Sequence, residues 1–278
     1  MAKTAKGSMR KVEIACVAWI DLLGYGSQIS ESGFNPAHES AAAAIHRLDR
    51  FHTAVSEKAN RYFPTLAMND GVIAYRDLSP RAHSVTYDFL RRSIDLFHHV
   101  NNVDQNELSH PGARMVIAPG FRVRRVHSFE QHLNDGKGKL IKTKLREGTI
   151  TPEQAINEAL KARQYFDAVP ELQGNFALTR AYLADESGSK AGLGGPNCFV
   201  DLSLFSSTLP DWITFSETID WESRGMQAQF GRLAGINHEV AGRVQSEGIL
   251  SAFDIAKTLS NDHEIEAKLR QERFRIVR

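Results

Sequence analysis

At 278 residues the chain can bury a sizeable core, as one large domain or as one domain with an appendage, and it needs no disulfide scaffold. Hydrophobic residues at 42% and charged residues at 24% exclude disordered and membrane compositions, and no run reaches the roughly 18 consecutive apolar residues of a spanning helix. A formal net charge of +1 offers no broad basic face for nucleic acid, so function has to be read from local sites.

From Lys11 the segment KVEIACVAWID alternates and then becomes wholly apolar through Ile20, the pattern of a central buried strand that ends at Asp21. Gly24 and Gly26 permit a tight turn after it, and Ala41, Ala44, Ile45, Leu48, Phe51, Val55 and Ala59 then recur at helical spacing. TLAMNDGVIAYRD reads as a hairpin turning at Asn69-Asp70-Gly71, since these residue types tolerate positive φ. A second helix is expected from about Val85 to Val103, and Pro111-Gly112 introduces the strand ARMVIAPGFRVRRV. The order βαββαβ predicts a ferredoxin-like α+β sandwich, a mixed sheet with helices on one face.

Between Val126 and Leu172 the pattern changes, and residues 126–171 read as an insertion. Gly136 to Lys144 is basic and predicts a solvated loop or a short strand pair, while Thr151-Pro-Glu-Gln is a capping box starting a helix to about Phe166. A further helix is expected from Leu172 to Asp185, then a glycine-rich loop, the strand NCFVDLSLF and a strand pair within WITFSETIDWE. Residues 216–278 read as a mainly helical extension, with helices near His238 to Gln245 and from the Ser251 cap to about Arg273. Cys16 and Cys198 lie in apolar strands and are expected as buried reduced thiols, which suits a reducing cytoplasm. The histidines show neither HxH nor HExxH spacing, so no zinc site is expected.

Asp21 at the end of a buried strand and Asp70 at a hairpin tip of the same sheet form a candidate cation pair, because magnesium and manganese favour oxygen ligands and leave positions open for phosphate. An Asp-Gly pair alone is an ordinary turn. Asp21 is harder to dismiss, since an unpaired charge at the end of an apolar strand is costly. Backbone N–H groups of the glycine turn would face an anion.

These residues resemble a known family. AWIDLLGYG is similar to the first-strand signature F-x-D-I-x-G-[FY] of class III adenylate and guanylate cyclases, MNDGVIAY to the family hairpin G-D-x-[ILV], and RMVIAPG to R-[IV]-G-I-x-x-G, with Arg114 and Gly120 six apart. The resemblance covers about residues 11–215, as the catalytic domain, and implies the class III cyclase fold and two Mg2+ or Mn2+ ions at Asp21 and Asp70. It further implies a metal ligand in the Leu22 carbonyl and phosphate contacts along Leu22, Leu23, Gly24 and Tyr25. Asn175 and Arg180 in GNFALTRAY look like the family's V-N-x-A-x-R pair, which orients the ribose and steadies the transition state from a second subunit, although they stand five apart instead of four. A homodimer with composite sites follows from that.

Where purine cyclases carry a lysine, four residues before the second aspartate, this chain has Leu66. With the insertion and the run QGNFALTRAYLADE leading to GPNCFVDLSLF, that departure looks like the pyrimidine cyclases of bacterial Pycsar antiphage defence. Their products, cyclic UMP or cyclic CMP, are read by a separate, commonly membrane-bound effector; UTP is favoured here over CTP. Arg122 and Arg124, on alternate positions beyond Gly120, are candidates for phosphate or base. The rivals are a purine cyclase with unorthodox base recognition and a non-catalytic nucleotide sensor on the same fold. The G-G-D/E-E/D-F hairpin of diguanylate cyclases is absent.

Overall fold

The computed structural model describes residues 11–107, 110–124, 129–164, 169–237, 247–260, 263 and 265–267. The chain forms two compact units, one of residues 1–12 and 123–174, the other of residues 13–122 and 175–278.

In the larger unit the apolar run becomes β1 (Lys11–Leu22), followed by a short α1 (Tyr25–Glu31) and α2 (Glu39–Lys58). The hairpin is β2 (Thr65–Met68) and β3 (Gly71–Asp77); α3 (His83–Asn101) runs into a π-helical turn at Asn102–Glu107 and then β4 (Ala113–Arg124). These strands lie in the order β2-β3-β1-β4, the ferredoxin-like order predicted for βαββαβ. The chain re-enters the unit at α6 (Phe176–Ser187), leading to β5 (Cys198–Asp201) parallel to β4, then β6 (Ile213–Ser223) and β7 (Met226–Ile236). The result is one mixed seven-stranded sheet, β2-β3-β1-β4-β5-β7-β6, and the fold class is α+β as expected.

Strand alternation sorts β1 between two environments. Ile14, Cys16, Ala18, Ile20 and Leu22 enter the main core with Phe51 and Val55 of α2 and Phe89, Ile94 and Phe97 of α3. The short helix α7 (Ala252–Leu259) adds Phe253 and Ile255 to the same core. Trp19 and Asp21 lie on the opposite face, where Trp19 meets Tyr182 of α6 edge-on at 5.2 Å. Helices therefore cover both faces rather than the one expected. Gly120 explains how α6 comes so close, since a Cβ there would stand 2.4 Å from the Ala177 nitrogen. Both cysteines are buried and free, and burial pushes both thiols well up.

The largest departure lies beyond residue 215. Residues 213–236, where a strand pair was expected only within 212–222 and the chain from 216 was read as mainly helical, are a long hairpin in which Ser223 pairs with Met226 across Arg224-Gly225. Both turn residues have positive φ, 50° and 78°, as a two-residue primed turn requires. The proposed boundary at 215 falls inside β6. The expected helix near His238 to Gln245 lies outside the described residues, and Ser251 caps α7 through the Asp254 N–H as predicted.

Among its described residues the smaller unit carries the α-helices α4 (Phe129–Arg146) and α5 (Pro152–Gln164). The capping box forms in both directions, Gln154 N–H to Thr151 Oγ1 at 3.2 Å and Thr151 N–H to Gln154 Oε1 at 2.9 Å. Gly136 to Lys144 is helical, against the predicted loop or strand pair. Two glycines lower helix propensity by about 1 kcal/mol each relative to alanine, a cost that contact with α5, including Lys144 to Glu158 at 3.6 Å, helps to offset.

Candidate functional site

Strand register brings the two predicted aspartates to one place. Asp21 is the Cα partner of Gly71, the residue directly after Asp70, and the Leu22 N–H donates to the Asp70 carbonyl at 3.0 Å. The strand end is thus zipped to the hairpin tip. Asn69 adopts φ 57° to make the turn and donates from Nδ2 to Asp70 Oδ1 at 2.9 Å. On the other side of β1, Leu23 N–H donates to the Gly112 carbonyl at 3.0 Å, and Gly24 takes φ 78°, a left-handed conformation that favours glycine. Leu22 and Tyr25 are buried, Leu23 is half-buried and Gly24 is exposed.

A buried network holds this turn from behind. Arg47 of α2 forms a two-pronged ion pair with Asp104 at 2.8 and 2.7 Å and donates to Gln28 of α1 at 3.1 Å. Asp104 in turn accepts the Gly112 N–H at 2.9 Å, and Asn101 accepts from and donates to the Ala113 backbone. The backbone that meets Leu23 is therefore fixed on several sides.

The electrostatics of the aspartates are lopsided. Burial, with the nearby charges of Asp185 and Asp70, pushes the Asp21 carboxyl up from its ordinary 3.8 to about 6, against a smaller opposing pull from Arg114. Burial, with Asp70 and Asp49, also pushes up the Tyr25 hydroxyl. Carboxylates in this neighbourhood outnumber the cation that faces them. Two aspartates with open positions suit a hard divalent ion whose shell is completed by phosphate and water. They do not make a closed cage: among the described residues no three His, Cys, Asp or Glu side chains gather as a metal site.

Asp185 and Trp19 are the site's neighbours that sequence reasoning did not single out. The Trp19 indole N–H donates to Asp185 Oδ2 at 3.2 Å, and Arg114 donates from Nε to Asp185 Oδ1 and from Nη2 to the Asp185 carbonyl at 2.9 Å. The signal was an acidic residue at the end of α6, one helical turn past an aromatic, but nothing local says which strand that helix covers.

The remaining predicted residues are placed elsewhere. Asn175 is the buried N-cap of α6, its side chain accepting the Leu178 N–H at 3.2 Å, and its backbone bridges to Arg122. Arg180 lies 2.8 Å from the fully buried Asp201 of β5, off the line of a hydrogen bond at Nε, and donates from Nη2 to the Gln227 carbonyl at 3.2 Å. Burial raises the Asp201 carboxyl while Arg180 pulls it down. Five residues apart on α6, Arg180 and Asp185 point about 140° from one another. Leu66 sits half-buried in β2 opposite Ile73.

Arg122 lies at the other end of the sheet from the aspartates. It is buried against Glu13 and Asp77, donating from Nε to Asp77 Oδ1 at 2.7 Å. Asp77 pairs with Ala15, six register steps and about 20 Å along the sheet from the Asp21–Gly71 pair. A guanidinium held there does not reach a phosphate at Asp21 of the same subunit. The Arg124 side chain lies outside what the structure describes.

No family profile matches the chain, and no curated protein matches it. Among solved structures it is similar to the guanylyl cyclase Cya2 at 14% identity, over 87% of this chain and 98% of that one, with a TM-score of 0.49. The guanylate cyclase domain of RhGC from Catenaria anguillulae, in complex with GTP, gives 8% identity over 82% and 100% of the two chains and a TM-score of 0.44. A bacterial light-regulated adenylyl cyclase gives 9% identity over 95% and 59%, with a TM-score of 0.46. No helix among the described residues is long and apolar enough to cross a membrane. The likenesses are of shape, and the site stands on this chain's own residues.

Proposed function

We propose that the chain is a metal-dependent nucleotidyl cyclase that converts a nucleoside triphosphate to its 3′,5′-cyclic monophosphate and pyrophosphate. The observation that carries this reading is the register that joins Asp21 to the Asp70 hairpin beside a glycine turn, in a cluster with excess negative charge. Asp21, Asp70 and the Leu22 carbonyl would hold Mg2+ or Mn2+. When bound, the two ions supply charge neutralisation on the triphosphate and a lowered pKa at the ribose 3′-hydroxyl. In the reaction the 3′ oxygen bonds to the α-phosphorus, the bond to the β-phosphate oxygen breaks, pyrophosphate leaves and the hydroxyl proton passes to solvent.

The chain's own part is positioning. The Leu22–Tyr25 backbone, braced by Gly112 and the Arg47–Asp104 pair, supplies a fixed surface for the phosphates. Asn175 caps its own helix and Arg180 is engaged by Asp201 and the Gln227 carbonyl, so a part for them in the reaction would come through a second copy, in a homodimer with composite sites. Leu66 offers no charge to a purine edge, which favours a pyrimidine triphosphate, UTP before CTP, and a cyclic pyrimidine messenger read by a separate membrane effector in antiphage defence.

Incubation with each of the four ribonucleoside triphosphates and Mn2+, followed by mass spectrometry, tests this. Cyclic UMP with stoichiometric pyrophosphate is expected; cyclic AMP or cyclic GMP alone would replace the pyrimidine reading with a purine one, and no product from any nucleotide would overturn the activity. One observation favours a second reading, a nucleotide sensor without turnover: Asn175 and Arg180 are both engaged inside their own subunit. Tight nucleotide binding without pyrophosphate release would select it.

A further inference from the structure

Trp19 stands two residues before Asp21 on the same face of β1, and its ring lies against the hairpin turn. A Cβ on Gly71 would meet Cη2 and Cζ2 of the indole at 2.7 Å, so the ring packs on the backbone that directly follows Asp70. The polar edge of the ring is its indole N–H. Asp185 Oδ2 holds it at 3.2 Å, and Tyr182 closes on it edge-on. Trp19 and Asp185 are each only 6% exposed.

Asp185 is itself fixed. The Arg114 guanidinium takes its carboxylate and its carbonyl and also donates to the Leu193 carbonyl at 3.3 Å, tying the end of α6 to β4. Contacts thus run without a gap from Arg114 through Asp185 and Trp19 to Gly71, whose neighbour in the chain is Asp70 and whose partner across the ladder is Asp21. One oxygen of this buried carboxylate thus meets the arginine and the other an indole that touches the turn.

We infer that Asp185 is a positioning residue: through the Trp19 indole it fixes the Asn69–Gly71 turn and so the place of the Asp70 carboxylate relative to Asp21. This rests on the reading of Asp21 and Asp70 as cation ligands and adds to it a support that reaches in from α6.

The test uses the full chain with Mn2+ alone as the probe, its affinity measured by the electron paramagnetic resonance signal of the free ion. Trp19→Phe removes the N–H and draws the ring edge back from Gly71, and Asp185→Asn removes the carboxylate. Each is expected to weaken Mn2+ about tenfold, in the range found for partners of metal ligands, while both fold. Because the two share one bond, Trp19→Phe should cost less in the Asp185→Asn background than it does alone. In the unaltered chain, Mg2+ should shift the Trp19 indole N–H resonance, assigned by its loss in Trp19→Phe, along the binding curve and leave those of Trp212 and Trp221 in place. Native affinity in both variants, fully additive losses, or an unmoved Trp19 resonance would each overturn the inference and leave the cation site standing. An unaltered chain that binds no Mn2+ would remove the cation site and the inference together.

Discussion

The two ends of β1 treat charge in opposite ways. Near its start, the carboxylates of Glu13 and Asp77 both meet one buried guanidinium, Arg122. Near its end, Asp21, Asp70 and Asp185 share a neighbourhood whose facing cation, Arg114, is already engaged by Asp185. Both ends hold acidic side chains on the same sheet, so acidity alone does not mark a site. What separates them is direct pairing: Glu13 and Asp77 both touch the guanidinium of Arg122, whereas among the described residues Asp21 and Asp70 have no such ion pair, which leaves room for an external cation.

Asp70→Asn should break that contrast most severely. Activity is expected to fall at least about a hundredfold in a cyclase assay, with the thermal midpoint little changed. At the opposite end Arg122→Met should lower stability by about 3 kcal/mol in urea titration, because two carboxylates lose their buried partner, yet leave Mn2+ affinity unchanged.

A smaller effect of opposite sign is expected at Asp21. Its folded-state pKa lies above the unfolded value, so the folded metal-free protein binds more protons, and stability falls as pH rises from about 4 through about 6. Asp21→Asn should remove that fall and raise metal-free stability at pH 7 by roughly 1–2 kcal/mol, less than the full shift implies because the group is partly solvated. Thermal melts across pH with a chelator would read it, and a native slope unchanged in Asp21→Asn would contradict the assignment. Smallest is Leu66→Lys, which should move nucleotide preference toward purines by about tenfold or less, measured as the ratio of kcat/KM values.

Much of this was legible along the chain because the signals were local. A wholly apolar run ending in aspartate, an Asn-Asp-Gly turn and the βαββαβ order sufficed for the sheet order and for the meeting of β1 with the hairpin tip. Asp185 was not legible, since its role depends on which strand α6 covers, and that is settled by tertiary contacts such as the close approach at Gly120. The partners of Arg122 were not legible for a related reason: alternation put it on one strand face with Arg124 but could not say that Glu13 and Asp77 lie against it. Strand character was expected where β6 lies, but β7 was missed although Met226, Ala228 and Phe230 alternate with glutamines, because an Arg-Gly turn is a weaker cue than Asn-Gly. Glycines at 136 and 138 misread a helix as a loop, local propensity yielding to packing against α5.

The direct test is a crystal grown with Mn2+ and a non-hydrolysable uridine triphosphate analogue, examined by anomalous scattering. Manganese peaks within coordination distance of both the Asp21 and Asp70 carboxylates, with phosphate oxygens completing the shell, are the expected result. Manganese bound elsewhere, or a triphosphate seated away from the Leu22–Tyr25 turn, would contradict it.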